Sequence, residues 1–135
     1  MALAAAVTVL IAASFMWLRI CIFYVAGVSM EPSICSGSLV VAQGLRGQHW
    51  DLEVGEVYVF MSGDDLMVKR LVATSVATAE DSALRRDGYI MIGDNVTESY
   101  DSRNYGPVER QNVLARVLYA INPLGAVRRY FRGAC

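Results

Sequence analysis

Leu66-Met67-Val68-Lys69-Arg70-Leu71-Val72 reads as a β-strand, and its alternation decides where the chain's single lysine stands. Met67, Lys69 and Leu71 share one face; Leu66, Val68, Arg70 and Val72 share the other. Between two apolar neighbours an amine loses solvation, which disfavours its charged form. Only the neutral amine can accept a proton, so this environment suits a lysine acting as a general base. A lysine that snorkels from a half-exposed strand fits the same alternation, and the pattern alone does not choose. Arg70, on the opposite face, keeps its charge and needs a carboxylate or water.

A base implies a nucleophile. Upstream, Gly27-Val28-Ser29-Met30-Glu31-Pro32-Ser33 brackets Ser29 with residues that free and fix the backbone at a turn. A serine hydroxyl needs a base within hydrogen-bond reach. The single histidine, His49, sits in the polar, turn-like stretch Gln48-His49-Trp50-Asp51. Lys69 is the other candidate base. Gly-x-Ser before a proline also describes an ordinary turn, and the pair is a hypothesis at this point.

Around these stretches the pattern is β. Residues 38–43, 56–61, 66–73, 89–92 and 113–121 are short runs rich in β-branched or aromatic residues. Gly, Asp, Asn and Ser clusters separate them, as expected of an antiparallel β domain. Ser62-Gly63-Asp64-Asp65 reads as a hairpin loop, and Asp87-Gly88 as a turn before the strand at Tyr89. Residues 74–86 read as a loop or a short helix. The basic, aromatic tail at 128–132 suits a membrane surface or a frayed terminus equally.

The chain has 135 residues and a net charge of −1. That length implies one domain, and the charge gives nucleic acid no excess of cations to hold phosphates. Residues 1–18 carry no charged side chain, and after Arg19 the apolar character resumes to Ala26. An 18-residue helix spans roughly 27 Å, close to a bilayer core of about 30 Å. A transmembrane anchor over 1–26 is therefore expected, followed by a domain over 27–135. A cleaved signal peptide fits less well, for want of a positive n-region. A buried core helix would have nowhere to hide in so small a domain. With no Lys or Arg before the span, its orientation is undetermined. Cys21, Cys35 and Cys135 form neither a zinc pattern nor a full disulfide framework, and a Cys35–Cys135 bridge stays open.

The most specific stretch is Gly88 to Val108, which contains Gly93-Asp94-Asn95-Val96-Thr97-Glu98-Ser99-Tyr100-Asp101-Ser102-Arg103 and then Tyr105-Gly106-Pro107-Val108. Together with Ser29-Met30-x-Pro32 and Lys69-Arg70, it resembles the membrane-bound type I signal peptidases, whose motif blocks occur here in the same order. The resemblance covers residues 27–124. It implies a small, signal-peptidase-like β-sheet catalytic domain behind a transmembrane helix. It implies Ser29 as nucleophile, Lys69 as general base and Ser99 as the hydroxyl that orients the lysine. Asp101 and Arg103 correspond to a structural ion pair, the turn at Gly93, Asp94 and Asn95 to the wall beside the lysine, and Ser102 to part of the same block. Val25, Met30 and Met67 are expected to line shallow pockets that accept small substrate side chains. No cofactor or metal is expected.

Some positions depart from the family pattern. Ser33 replaces a threonine, residues 36–38 lack a Gly-Asp, and 71–80 lack a Gly-x-x-Gly-Asp. Gly27 stands where some bacterial members carry a serine that assists the oxyanion hole, leaving the Ser29 backbone N–H to act without it. Asn95-Val96-Thr97 is also a glycosylation sequon, read as coincidence within this block. Val96-Thr97-Glu98 in place of Arg-Asp-Asn, and a short chain, look more like the mitochondrial inner-membrane proteases than the bacterial enzymes. That likeness implies presequence-bearing protein substrates, contact with a lipid bilayer and a second homologous subunit. The expected place is the mitochondrial inner membrane facing the intermembrane space, with a bacterial plasma membrane as the alternative. A soluble self-cleaving repressor with a Ser/Lys site and a silent β module are the rival classes. The apolar N-terminus and absence of cationic excess argue against the first.

Overall fold

The computed structural model describes residues 7, 9, 13–14, 18–45, 51–75, 88–122 and 126–128. Its strands are β1 (Ile20–Tyr24), β2 (Leu39–Gly44), β3 (Val57–Ser62), β4 (Asp65–Ser75), β5 (Gly88–Ile92), β6 (Val113–Asn122) and β7 (Ala126–Arg128). A single helical turn, α1 (Ser102–Tyr105), follows β5, and a 3-10 turn at Arg110–Asn112 leads into β6. All pairings are antiparallel, in the order β1-β2-β6-β3-β4-β5 with β7 added to β6.

The runs expected as strands are β2 to β6. β3 and β4 form a hairpin in which Ser62 faces Asp65 across Gly63 and Asp64. Gly63, at φ 61°, takes the positive φ that such two-residue turns demand at their first central position. The first four residues of β3 are buried on both faces, as befits a strand between β6 and β4. Its alternation divides the core. Val57 and Val59 pack with Met30, Ile34, Val40 and Val117; Tyr58 and Phe60 pack with Leu71, Met91, Val108 and Val113.

The N-terminal expectation is corrected. Among the described residues no helix is long and apolar enough to cross a membrane, so the transmembrane helix has no support. The chain turns at Arg19, whose φ of 53° lies in the left-handed region, and Ile20–Tyr24 continues as β1 along β2. A β-branched and aromatic run such as Ile-Cys-Ile-Phe-Tyr is as apolar as a membrane segment. Here its backbone groups are satisfied by a neighbouring strand. Most of residues 1–17 lie outside the described residues. So do His49, residues 76–87, Cys135 and the tail beyond Arg128. Cys21 is a free thiol and Cys35 is held in a disulfide.

Candidate active site

Lys69 lies in β4 and is buried with Leu71, at 4% and 0% exposed, which decides between the two readings its alternation left open. Its register partner is Tyr58 of the fully buried part of β3. β5 pairs only with Arg70 to Ser75, so the part of β4 before Arg70 has β3 on one side and no strand of the described residues on the other. That open edge meets the loop between β1 and β2. Lys69 Nζ donates to Ser29 Oγ at 2.5 Å, joining residues 40 positions apart. Burial lowers the lysine pKa, and the Asp101 carboxylate opposes this only in part. A hydroxyl and a neutral amine in such contact can exchange a proton.

The Ser29 turn is held by its own loop and by the stretch after β5. Glu31 N–H donates to Val28 O (3.1 Å) and Ile34 N–H to Met30 O (2.9 Å). From outside, Asn95 N–H donates to Ser29 O at 3.0 Å, and Asn95 Nδ2 donates to Val28 O at 3.1 Å. The amide of the sequon is thus spent on the serine turn. Gly93 sits where a Cβ would overlap Ser99 and the Ser29 carbonyl oxygen, so glycine is required for close approach. Gly27, at φ 118°, donates its N–H to Ser36 Oγ at 3.2 Å. A serine at that position would be strained even with open space around it.

Two ion pairs fix this wall. Arg70, across β4 from Lys69, meets Asp94 with two hydrogen bonds, Nε to Oδ1 at 2.8 Å and Nη2 to Oδ2 at 2.6 Å. Arg70 also donates to Gly55 O at 2.6 Å and to Ser33 Oγ at 3.4 Å. Burial alone would raise the Asp94 carboxyl, but Arg70 and Ser33 outweigh it and lower the pKa. Arg103 forms the second fork, 2.8 Å to each oxygen of Asp101. Asp101 is fully buried, caps α1 and accepts the Gly93 N–H at 3.0 Å. Burial would raise its carboxyl too, yet these hydrogen bonds hold it well below the usual carboxylate range. Ser102 Oγ accepts the Met91 N–H at 2.9 Å, tying α1 to β5.

Ser99 is the exception to the expected geometry. Its hydroxyl is buried and makes no hydrogen bond to Lys69. It lies near enough to Asp101 to favour the ionised carboxyl, but the contact falls short of hydrogen-bond geometry, and among the described residues the hydroxyl has no partner.

A cavity of about 390 Å³ opens beside Ser29 and Lys69. Val25, Met30 and Met67 line it, as expected, and so do Leu66, Glu98 and Tyr100, which the sequence did not single out. Tyr24, in the strand mistaken for membrane, lines it as well. The usable signal for Glu98 and Tyr100 was their position on either side of Ser99. Among the described residues no group of His, Cys, Asp and Glu could hold a metal ion.

Residues 74–121 match the model of the signal peptidase, peptidase S26, family, and residues 13–79 match that of the peptidase S24-like family. The mitochondrial inner membrane protease subunit 1 of Xenopus tropicalis is 30% identical over 112 residues, covering 73% of this chain and 67% of that protein. Its human counterpart is 28% identical over 112 residues, covering 73% and 68%. The mouse counterpart is 28% identical over 111 residues. The chain belongs to the type I signal peptidase-like family. It is accordingly a signal-peptidase-like protease. For such a peptidase the S26 match spans the Gly93–Arg103 block, and the S24-like match spans both Ser29 and Lys69.

Proposed function

We propose that this protein is a membrane-associated serine endopeptidase that removes presequences or sorting peptides with a Ser29/Lys69 dyad. The observation that carries the reading is the 2.5 Å contact between a serine hydroxyl and a buried lysine whose pKa is lowered. Above that lowered pKa the amine is neutral and takes the Ser29 proton as Oγ attacks the scissile carbonyl. The lysine then gives that proton to the leaving amine, and an acyl-enzyme remains on Ser29. In the second half, the neutral amine takes a proton from water as the hydroxide equivalent attacks the ester; the proton returns to Ser29 Oγ as the peptide acid departs.

The supporting roles follow from position. The Ser29 backbone N–H has no hydrogen-bond partner among the described residues, and we assign it to the oxyanion. Ser99 supplies a buried oxygen beside Gly93, and we assign it to holding the lysine once that amine carries a proton. Asp94, Asn95, Asp101, Ser102 and Arg103 position the wall without touching substrate. An extended peptide fits along the free edge of β4, where backbone hydrogen bonds add it to the sheet. Val25, Met30 and Met67 leave shallow pockets that select small side chains by sterics.

The relatives' names place those proteins at the mitochondrial inner membrane and make them subunits. We assign the same membrane to this chain, with its site facing the intermembrane space and a second protease subunit as partner. The reading is tested by purified Ser29→Ala protein with presequence peptides. Turnover should fall by about 10⁴-fold or more, with the fold retained. Near wild-type cleavage by that variant would remove Ser29 from the mechanism.

A further inference from the structure

We propose that Glu98 sets a preference for a basic side chain in the substrate beside the scissile bond. This deepens the protease reading above and rests on it.

Two charged residues line the cavity, Lys69 and Glu98. Lys69 is buried and committed to Ser29. Glu98 is exposed, and its carboxylate makes no hydrogen bond or ion pair with the described residues. The cations of the same region are already committed elsewhere, Arg70 to Asp94 and Arg103 to Asp101. Nor does Glu98 tune the base, because the carboxylate that opposes the burial of Lys69 is Asp101. Its negative charge at the mouth of the cleft is therefore free to act on substrate.

Its backbone is not free to drift. Glu98 N–H donates to Asn95 O at 3.2 Å. On either side of it, Arg103 Nη2 donates to Val96 O at 2.9 Å and to Ser99 O at 3.4 Å. Two residues on, Tyr100 lines the same cleft, 61% exposed, its ring braced 5.5 Å from that of Tyr105. A carboxylate and an exposed aromatic ring together suit an ammonium or guanidinium: one pairs with the charge, and the other covers the methylene stem or faces the cation. Val25, Met30, Leu66 and Met67, which also line the cleft, are apolar and leave Glu98 as its one acidic side chain.

The test uses the full chain and quenched-fluorescence peptides that differ at one position, carrying Lys, Gln or Glu. That position is scanned through the residues on each side of the cut. At low ionic strength, kcat/KM should favour Lys over Gln, and Gln over Glu, by about two- to fivefold at each step, at one or two adjacent positions. Added salt should compress the ratio. Glu98→Gln should bring the Lys-to-Glu ratio close to one, and Glu98→Lys should invert it. If wild type cleaves the peptides but the ratio is the same in wild type and both variants, the proposal is overturned while the protease reading stands. If wild type cleaves none of them, both are overturned.

Discussion

The backbone N–H of Asn95 donates to the carbonyl oxygen of Ser29 at 3.0 Å, so the loop after β5 is a clamp on the serine turn. Through that loop run Gly93, which touches the turn, and Asp101, which holds Gly93. The spacing from Gly93 to Arg103 is thus a mechanical link between the Asp101–Arg103 pair, of which Asp101 is buried, and Ser29. The family motif has a physical content here: Gly93 allows the close approach to the serine turn, and Asp101, Ser102 and Arg103 satisfy the groups behind it.

Gly93→Ala is the sharpest probe of the clamp. A methyl group at this position overlaps Ser99 and the Ser29 carbonyl oxygen, so Ser99, the serine turn or both must shift. Overpacking of this kind costs about 1–3 kcal/mol of stability. Misplacing a reacting group by about 1 Å costs on the order of 100-fold in rate. Denaturant melts and peptide turnover measured together should show both losses. Full activity in Gly93→Ala would mean that the turn does not need this contact.

Ser99→Ala separates a working hydroxyl from a structural one. Because Ser99 Oγ is buried and has no hydrogen-bond partner among the described residues, its removal should leave the melting temperature at or above wild type. Turnover should nevertheless fall by roughly 10- to 1,000-fold, as for loss of one orienting or charge-stabilising hydrogen bond. A variant with wild-type kinetics would reduce Ser99 to a turn residue.

Much of this was legible in the sequence, for reasons that can be named. β2 to β6 carry β-branched and aromatic residues between turn formers, and alternation along β4 placed Lys69 on one face with Leu71 but left its burial open. β1 was not legible, because Ile20–Tyr24 continues an apolar run and its partner, β2, lies beyond the serine loop. Hydropathy cannot tell backbone groups satisfied within a helix from those satisfied by a strand many residues away. The same holds for the site. That Arg70 needs an anion follows from its charge, but Asp94 as that anion depends on how β4 and β5 pair. The capping of α1 by Asp101 could be read locally; its reach to the Gly93 N–H could not.

Lys69→Met should stabilise the fold while abolishing turnover. Burial lowers the lysine pKa in the folded state, whereas the unfolded chain titrates near about 10.4. Below the folded pKa both states carry the proton, and the full cost of burying the charged amine stands. Between the two values the unfolded state binds more protons, so stability rises with pH and the cost fades. The stability gain of Lys69→Met should therefore be largest at low pH and shrink toward about pH 10.4. In thermal melts, a gain of about 4 °C would correspond to roughly 1 kcal/mol. A variant less stable than wild type at neutral pH would show that the amine contributes to the fold.

A neutral Lys69 is proposed to activate Ser29. The most direct measurement is the rate at which a serine-reactive acylating probe modifies Ser29 as a function of pH, read by intact mass and peptide mapping. A single adduct should form on Ser29, at a rate that rises as Lys69 deprotonates and with a midpoint below the ordinary lysine range. Lys69→Arg should not acylate, because a guanidinium keeps its proton. Acylation of Lys69→Arg at the wild-type rate, or an adduct on a residue other than Ser29, would contradict it.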